Sequence, residues 1–385
     1  MSRPVAYSGL PIFDGERWHE EAALLVDGDS VTGIVPAAQA ADAEPVRLSG
    51  GFLAPGFVDL QVNGGGGTQF NDVLTVDGLR TICASHARFG TTALLPTLIT
   101  DTPEITARAV EAGIAAADSH LPGFLGLHLE GPHLSVARKG AHDPALIRPM
   151  DEIDLTTLVD ARKRLPNLLT TVAAETVTPN QITRLRDAGL VVSIGHSDAS
   201  YDTARAAAEA GATMATHLFN AQSQLGNRDP GVVGAVLDLG SLWAGIIADG
   251  IHVAAPSIGV ALRAKRGPGR IFLVTDAMSV IGTDVTSFDL TGRTVYRKDG
   301  ALRLADGTLA GADLTFIDAV TYVHRTIGLP LEEVLRMASR YPAEALGVGH
   351  ERGMLKQGLR ADLVHLSDDL KVRRTIIGGE TAWAA

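Results

Sequence analysis

Gly123-Phe124-Leu125-Gly126-Leu127-His128-Leu129-Glu130-Gly131-Pro132-His133 is the stretch from which the architecture can be read. It opens as an alternating apolar run, the pattern of a buried strand, and stops at a Gly-Pro break. The last residue before the break is a carboxylate, Glu130. A Glu at the end of a buried strand is costly unless something positive meets it. Arg138, Lys139 and His142 follow closely, and His196 and His217 stand at two later strand ends. One Glu and two His from three strand ends fit a zinc site with an open position, the arrangement of a hydrolytic metal centre.

Outward from this stretch the same order of strand, break and helix recurs. The candidate strands are Gly56–Val62, Thr91–Thr97, Gly123–Leu129, Leu168–Ala174, Leu190–Ile194, Ala212–His217, Leu242–Ile247 and Ile271–Val274. Helical patterns such as Thr102–Asp118, Tyr201–Ala210 and Ala254–Ala264 lie between them. Strand–helix units repeated over roughly 290 residues predict an α/β fold, a (β/α)8 TIM-like barrel rather than an open sheet. Both chain ends read differently, as short strands and polar turns. Ala22–Val26, Asp27-Gly28-Asp29-Ser30 and Val31–Val35 make a hairpin pattern, and 361–366 and 372–377 are strand-like. Neither end could bury a strand face alone. Residues 1–54 and 354–385 are therefore expected to pair into one small β-sandwich domain, with the barrel occupying 55–353. Residues 287–306 read as a two- or three-stranded insertion after the eighth strand. They lead into Gly307-Thr308-Leu309-Ala310-Gly311, a tight turn able to approach a ligand. Helices are expected at Leu314–Ile327 and Leu331–Ala338.

Composition narrows the function. The formal net charge of -11 argues against nucleic acid, whose phosphates need a basic surface. A single cysteine, Cys83, excludes a disulfide framework and a thiolate metal site, so any metal falls to His and carboxylates. Its helical, apolar surroundings make Cys83 a core residue. The first residues carry no apolar signal segment, and the most apolar long stretch, 231–253, is interrupted by Asp238 and Asp249. The expectation is a cytoplasmic protein without a membrane partner.

Gln61, Asn63, Glu130, Glu175, His196, His217, Asn220, Asp249, His252 and Asp276 all fall at or just past strand ends, the face where such barrels hold their active sites. Taken singly, each is an ordinary satisfied polar group, and Asp276 a helix N-cap. The coincidence over several strands favours chemistry. Glu130, His196 and His217 would bind one divalent ion, zinc first, which polarises a carbonyl and activates water. Asp276 would take a proton from that water and pass it to a leaving amine.

Several motifs carry a resemblance across essentially the whole chain. They are Ala54-Pro55-Gly56-Phe57-Val58-Asp59, His128-Leu129-Glu130-Gly131-Pro132, Lys139-Gly140-Ala141-His142, Gly195-His196-Ser197, Thr216-His217-Leu218-Phe219-Asn220-Ala221, Arg228-Asp229-Pro230-Gly231, Asp249-Gly250-Ile251-His252, Thr275-Asp276-Ala277-Met278, Leu309-Ala310-Gly311 and Gly358–Val364. In this order they resemble the amidohydrolase superfamily, and within it the N-acetylglucosamine-6-phosphate deacetylases. The resemblance implies hydrolysis of the acetamido group of an amino-sugar phosphate, giving acetate and glucosamine-6-phosphate. It implies one metal per subunit on Glu130, His196 and His217, with Asp276 as acid and base. Ala141, His142, Asn220, Ala221, His252, Leu309, Ala310 and Gly311 would hold the substrate. Arg228 would bind phosphate in the neighbouring subunit's site, making a homodimer the functional unit. An exposed Arg fork suits a phosphate on physical grounds as well.

Two positions depart from the wider pattern. Gln61 and Asn63 stand where the superfamily usually has His-x-His, and neutral amides are poor zinc ligands, which points to one metal. Gln61 is then a candidate contact to water or ligand. His133 occupies a position more often aromatic or apolar and reads as a solvent-facing loop residue, with an extra metal or substrate contact as the alternative. Competing readings are a deacetylase for another N-acyl amino-sugar phosphate, a non-catalytic sugar-phosphate-binding barrel, and a metal-free barrel isomerase.

Overall fold

A computed structural model describes residues 3–385. Eight parallel strands form one sheet in sequence order: β1 Phe57–Val62, β2 Thr91–Ile99, β3 Leu127–Glu130, β4 Leu168–Val172, β5 Val191–Ile194, β6 Met214–Ala215, β7 Trp243–Ile247 and β8 Ile271–Val274. Every residue of the nine-residue β2 is buried, as a strand covered on both faces requires. The sheet closes on itself between β8 and β1. The Asp276 amide donates to the Gln61 carbonyl at 3.0 Å, and the Thr275 hydroxyl donates to the buried Asp59 carboxylate at 2.6 Å. The result is the expected barrel. Capped helices start its return connections: Thr102 caps Pro103–Asp118 and Ser200 caps Tyr201–Ala210 through side-chain oxygens. Among the described residues no helix is long and apolar enough to cross a membrane.

Strands from both chain ends share a second unit. Val5–Ser8, Ala22–Asp27, Ser30–Pro36 and Glu44–Arg47 form one four-stranded sheet. A six-stranded sheet mixes Ile12–Phe13, Trp18–His19 and Phe52–Pro55 with Leu363–Leu366, Val372–Ile377 and Glu380–Ala384. Phe52–Pro55 pairs antiparallel with Leu363–Leu366, so the two termini are stitched through backbone hydrogen bonds. Tyr7, Leu24, Val31, Leu53, Leu363 and Ile376 belong to the apolar cluster that the two sheets share.

The insertion after β8 is larger than its sequence suggests. Ser287–Leu290, Arg293–Lys298, Ala301–Arg303 and Leu309–Ala312 make a four-stranded antiparallel meander. Leu309–Ala312 reads as a turn because of its glycine and its shortness. It is nevertheless a strand, paired with Ala301–Arg303 and tied to the end of β8 by the Ala312 amide on the Asp276 carbonyl at 2.8 Å. Only Gly311 in it takes a left-handed φ, +65°. The expected helix 314–327 is also modified: Phe316–Tyr322 is α-helical, and Val323–Ile327 widens into a π turn that ends at Gly328.

Candidate active site

Glu130 is the last residue of β3. His196, His217 and Asp276 each stand two positions past their strands, β5, β6 and β8. All three have positive φ, +47°, +29° and +52°. Left-handed backbone costs a non-glycine residue about 1–2 kcal/mol. Its recurrence at the same step past three strands marks a site held against local preference.

These residues converge. His217 Nε2 lies 3.1 Å from Glu130 Oε1 and 3.1 Å from His196 Nε2, and His196 Nε2 lies 3.3 Å from Glu130 Oε1. A tetrahedral metal with bonds of 2.0–2.1 Å has ligand separations of about 3.3 Å, so the triangle has the size of a metal face. The hydrogen bond behind His196 agrees with this. His196 Nδ1 is 2.8 Å from the Arg138 carbonyl, to which it can only donate, and this leaves a lone pair on Nε2. Burial raises the Glu130 carboxyl, but hydrogen bonds and charge from His196 and His217 outweigh that and hold it well below the usual range. Burial lowers His217, and its bond to Glu130 overcomes this and raises it.

His142 also falls within reach, since Glu130, His142 and His196 offer ligand atoms within 4.8 Å of one another. Its tautomer argues against ligation. His142 Nδ1 accepts the Thr100 backbone N–H at 3.3 Å and lies 2.8 Å from the Thr100 hydroxyl. An amide can only donate, so the ring proton sits on Nε2, 4.0 Å from Glu130 Oε2. Burial, then the charge of His196, pushes this imidazole down to about 3. His142 is a neutral N–H donor aimed where its neighbour presents a lone pair.

Asp276 faces the same space. Asn63 Nδ2 donates to its Oδ1 at 2.7 Å, which leaves Oδ2 free of that contact. Burial, reinforced by the charge of Glu130, raises the carboxyl to about 6. A cavity of about 340 Å3 gathers Glu130, Ala141, His142, His196, His217, Asn220, Ala221, His252, Asp276, Leu309, Ala310 and Gly311. His252 is held by a 2.6 Å bond from Nδ1 to Asp249. Two expected residues stand outside this lining. Gln61 lies buried beneath it and donates from Nε2 to Glu130 Oε1 at 3.1 Å. Arg228 is exposed on the loop before Gly231–Asp238, with no side-chain hydrogen bond or ion pair among the described residues.

One expectation is corrected. His133 does not face solvent: it is 2 % exposed, with Nδ1 3.2 Å from the Arg148 carbonyl and Nε2 3.9 Å from Asp154. The loop folds back over it, and the pair of Arg148 with Asp154 supplies polar partners that an aromatic residue would not need. Sequence reasoning missed Thr100 and the Arg138 carbonyl, because the Thr100 amide and the Arg138 carbonyl are backbone groups that any residue carries. Glu175, three residues past β4, is structural: it accepts from Ser197 Oγ at 2.6 Å and the Asp198 amide at 2.7 Å.

The amidohydrolase family model matches residues 52–382. An N-acetylgalactosamine-6-phosphate deacetylase from Shewanella sp. (strain ANA-3) is 42% identical over 95% of this chain and 93% of its own. An N-acetylglucosamine-6-phosphate deacetylase from Haemophilus influenzae is 35% identical over 93% and 94%. The crystal structure of an N-acetylglucosamine-6-phosphate deacetylase from Pasteurella multocida superposes with a TM-score of 0.95 at 38% identity, covering 99% of this chain and all of that one.

Proposed function

The chain belongs to the amidohydrolase family, and from that premise we propose that it removes the N-acetyl group of N-acetylglucosamine-6-phosphate, releasing acetate and glucosamine-6-phosphate. Its role would lie in amino-sugar catabolism. The observation that carries this reading is the convergence, in one cavity, of the Glu130–His196–His217 triangle with a carboxylate and an N–H donor.

The family is metal-dependent, and Glu130, His196 and His217 would hold one divalent ion, zinc by the mixed nitrogen and oxygen donor set. When bound, the ion supplies Lewis-acid polarisation of the amide carbonyl and lowers the pKa of water. The chain's own residues do the rest. Asp276 takes a proton from the attacking water and returns it to the amine as the C–N bond breaks. Asn63 fixes the carboxylate in place for both transfers. The His142 Nε2–H donates to the acetyl oxygen as negative charge grows there. Ala141, Asn220, Ala221 and the Leu309–Gly311 strand bound the sugar. His252 and an Arg228 from a second copy of the chain take the phosphate. An Arg228 that is exposed, unpaired among the described residues and outside its own cavity supports the homodimer this requires. Remote phosphate contacts of this kind position the reacting bond.

A second reading concerns the epimer. The 42% identical relative is named for galactosamine, so N-acetylgalactosamine-6-phosphate is the alternative substrate. The test is acetate release from both phosphorylated epimers and from unphosphorylated N-acetylglucosamine, before and after chelation and zinc restoration. Chelator-sensitive release from the phosphorylated glucosamine derivative is expected. Faster release from the galactosamine epimer would transfer the assignment to it. No release from any of them by folded, zinc-loaded protein would sink the reading.

A further inference from the structure

The meander after β8 has an apolar core of its own. Leu290, Val295, Leu302, Leu304 and Ala310 from its strands are buried with Ile99, Met278 and Val280, in a cluster separate from the barrel core. Four members of that cluster, Ile99, Met278, Leu290 and Ala310, also line the active-site cavity. The cluster thus presents one apolar wall to the cavity, built from the end of β2, the segment after β8 and the meander.

We propose that this wall selects the acyl group: Leu290, Met278 and Ile99 receive the methyl of an acetyl and exclude longer chains. The proposal rests on the amide-hydrolase reading above and adds its acyl specificity. The acyl tail ends in the one wholly apolar substituent of an N-acylated sugar phosphate, whose ring edge carries hydroxyls and a phosphate, and polar groups lose hydrogen bonds against an apolar wall. The tail is therefore the part of the substrate that the wall fits. Its place beside the chemistry agrees. Met278 lies two residues past Asp276. Ala141 packs on the cluster immediately before His142, and Arg293 of the meander grips the Ala141 carbonyl. An acyl oxygen directed at the His142 N–H would leave its methyl facing the wall.

The wall has little slack. Val295 and Leu302 behind it are fully buried, and packed interiors resist an added methylene. At its edge Gly311 is left-handed, and a Cβ there would collide with Met278 Sδ and press on the Asp276 carbonyl at 3.0 Å.

The experiment is a series of N-acetyl, N-propionyl and N-butyryl amino-sugar 6-phosphates, assayed on zinc-loaded wild type, Leu290→Ala and Met278→Ala. One methylene in an apolar pocket is worth roughly 10–200-fold in kcat/KM. The wild type should lose about tenfold or more from acetyl to propionyl. Each variant should raise the propionyl-to-acetyl ratio by a comparable factor. Wild type that hydrolyses all three equally well overturns the proposal while leaving the deacetylase reading intact, and that result needs no variant to fold. Folded variants whose ratio matches wild type also overturn it. Absence of acetyl turnover in the wild type sinks both readings.

Discussion

The loop after β3 and the loop after β5 each deliver an imidazole to the same cavity, with ring centroids 4.4 Å apart, and the two are wired in opposite senses. His196 has a carbonyl behind it and turns a lone pair inward. His142 has a backbone amide behind it and turns a proton inward. Residue type is the same and burial is nearly the same. The difference comes from one backbone atom apiece, a C=O from Arg138 and an N–H from Thr100. The ring proposed to bind a cation and the ring proposed to stabilise an anion are thus set apart by opposite backbone partners.

This wiring leaves neither imidazole free to act as the base, and the largest expected effect tests that. Asp276→Asn should lower kcat by ~10²–10⁴-fold, the range for loss of a general base. Metal content and far-UV circular dichroism should not change. Near-normal turnover would mean that an imidazole accepts the proton, and the contrast between the two loops would collapse. The same carboxylate sets a pH limb. Burial raises it to about 6 and the anion is the proposed working form, so kcat/KM should fall as pH drops through that value. A bound cation favours the anion and can only move the limb lower. A limb lying instead above about pH 7 would assign it to another group.

Next in size, the two histidines should separate when metal and rate are measured together. His196→Ala should purify with little metal. His142→Ala should keep its metal and lose ~10²–10³-fold in kcat, the usual result of deleting one oxyanion donor. Metal loss in His142→Ala with retention in His196→Ala would invert the assignment.

Much of this was legible in the sequence, and the remainder was hidden for identifiable reasons. The barrel strands show because a strand covered on both faces is largely apolar, and four of them break at the residues proposed for the chemistry: Glu130, His196, His217 and Asp276. The pairing of the termini shows because strands that short cannot stand alone. Leu309–Ala312 escaped because four residues with a glycine carry no period, and its partner Ala301–Arg303 is what makes it a strand. His133 escaped because burial was supplied by Arg148 and Asp154, which are distant enough in sequence to look unrelated. The opposite tautomers of His142 and His196 have no sequence signal at all, since backbone amides and carbonyls are common to every residue.

The smallest expected effect is the sharpest test of that last point. Thr100 offers His142 both its amide and its hydroxyl, at 3.3 and 2.8 Å. Its single hydroxyl proton has a second acceptor in the Glu130 carbonyl at 3.3 Å, so the amide is the donor that has no other role at the ring. Thr100→Val removes the hydroxyl and keeps the amide. If the amide sets the tautomer, the cost is one ordinary hydrogen bond, about 0.5–1.5 kcal/mol. The fall in kcat should then stay below about tenfold, with metal content unchanged. If the hydroxyl sets it, Thr100→Val should be as damaging as His142→Ala, because a ring with its proton on Nδ1 has nothing to donate to the acyl oxygen. The ratio of those two variants' rates therefore reports which backbone or side-chain atom keeps the neighbouring imidazoles in opposite states.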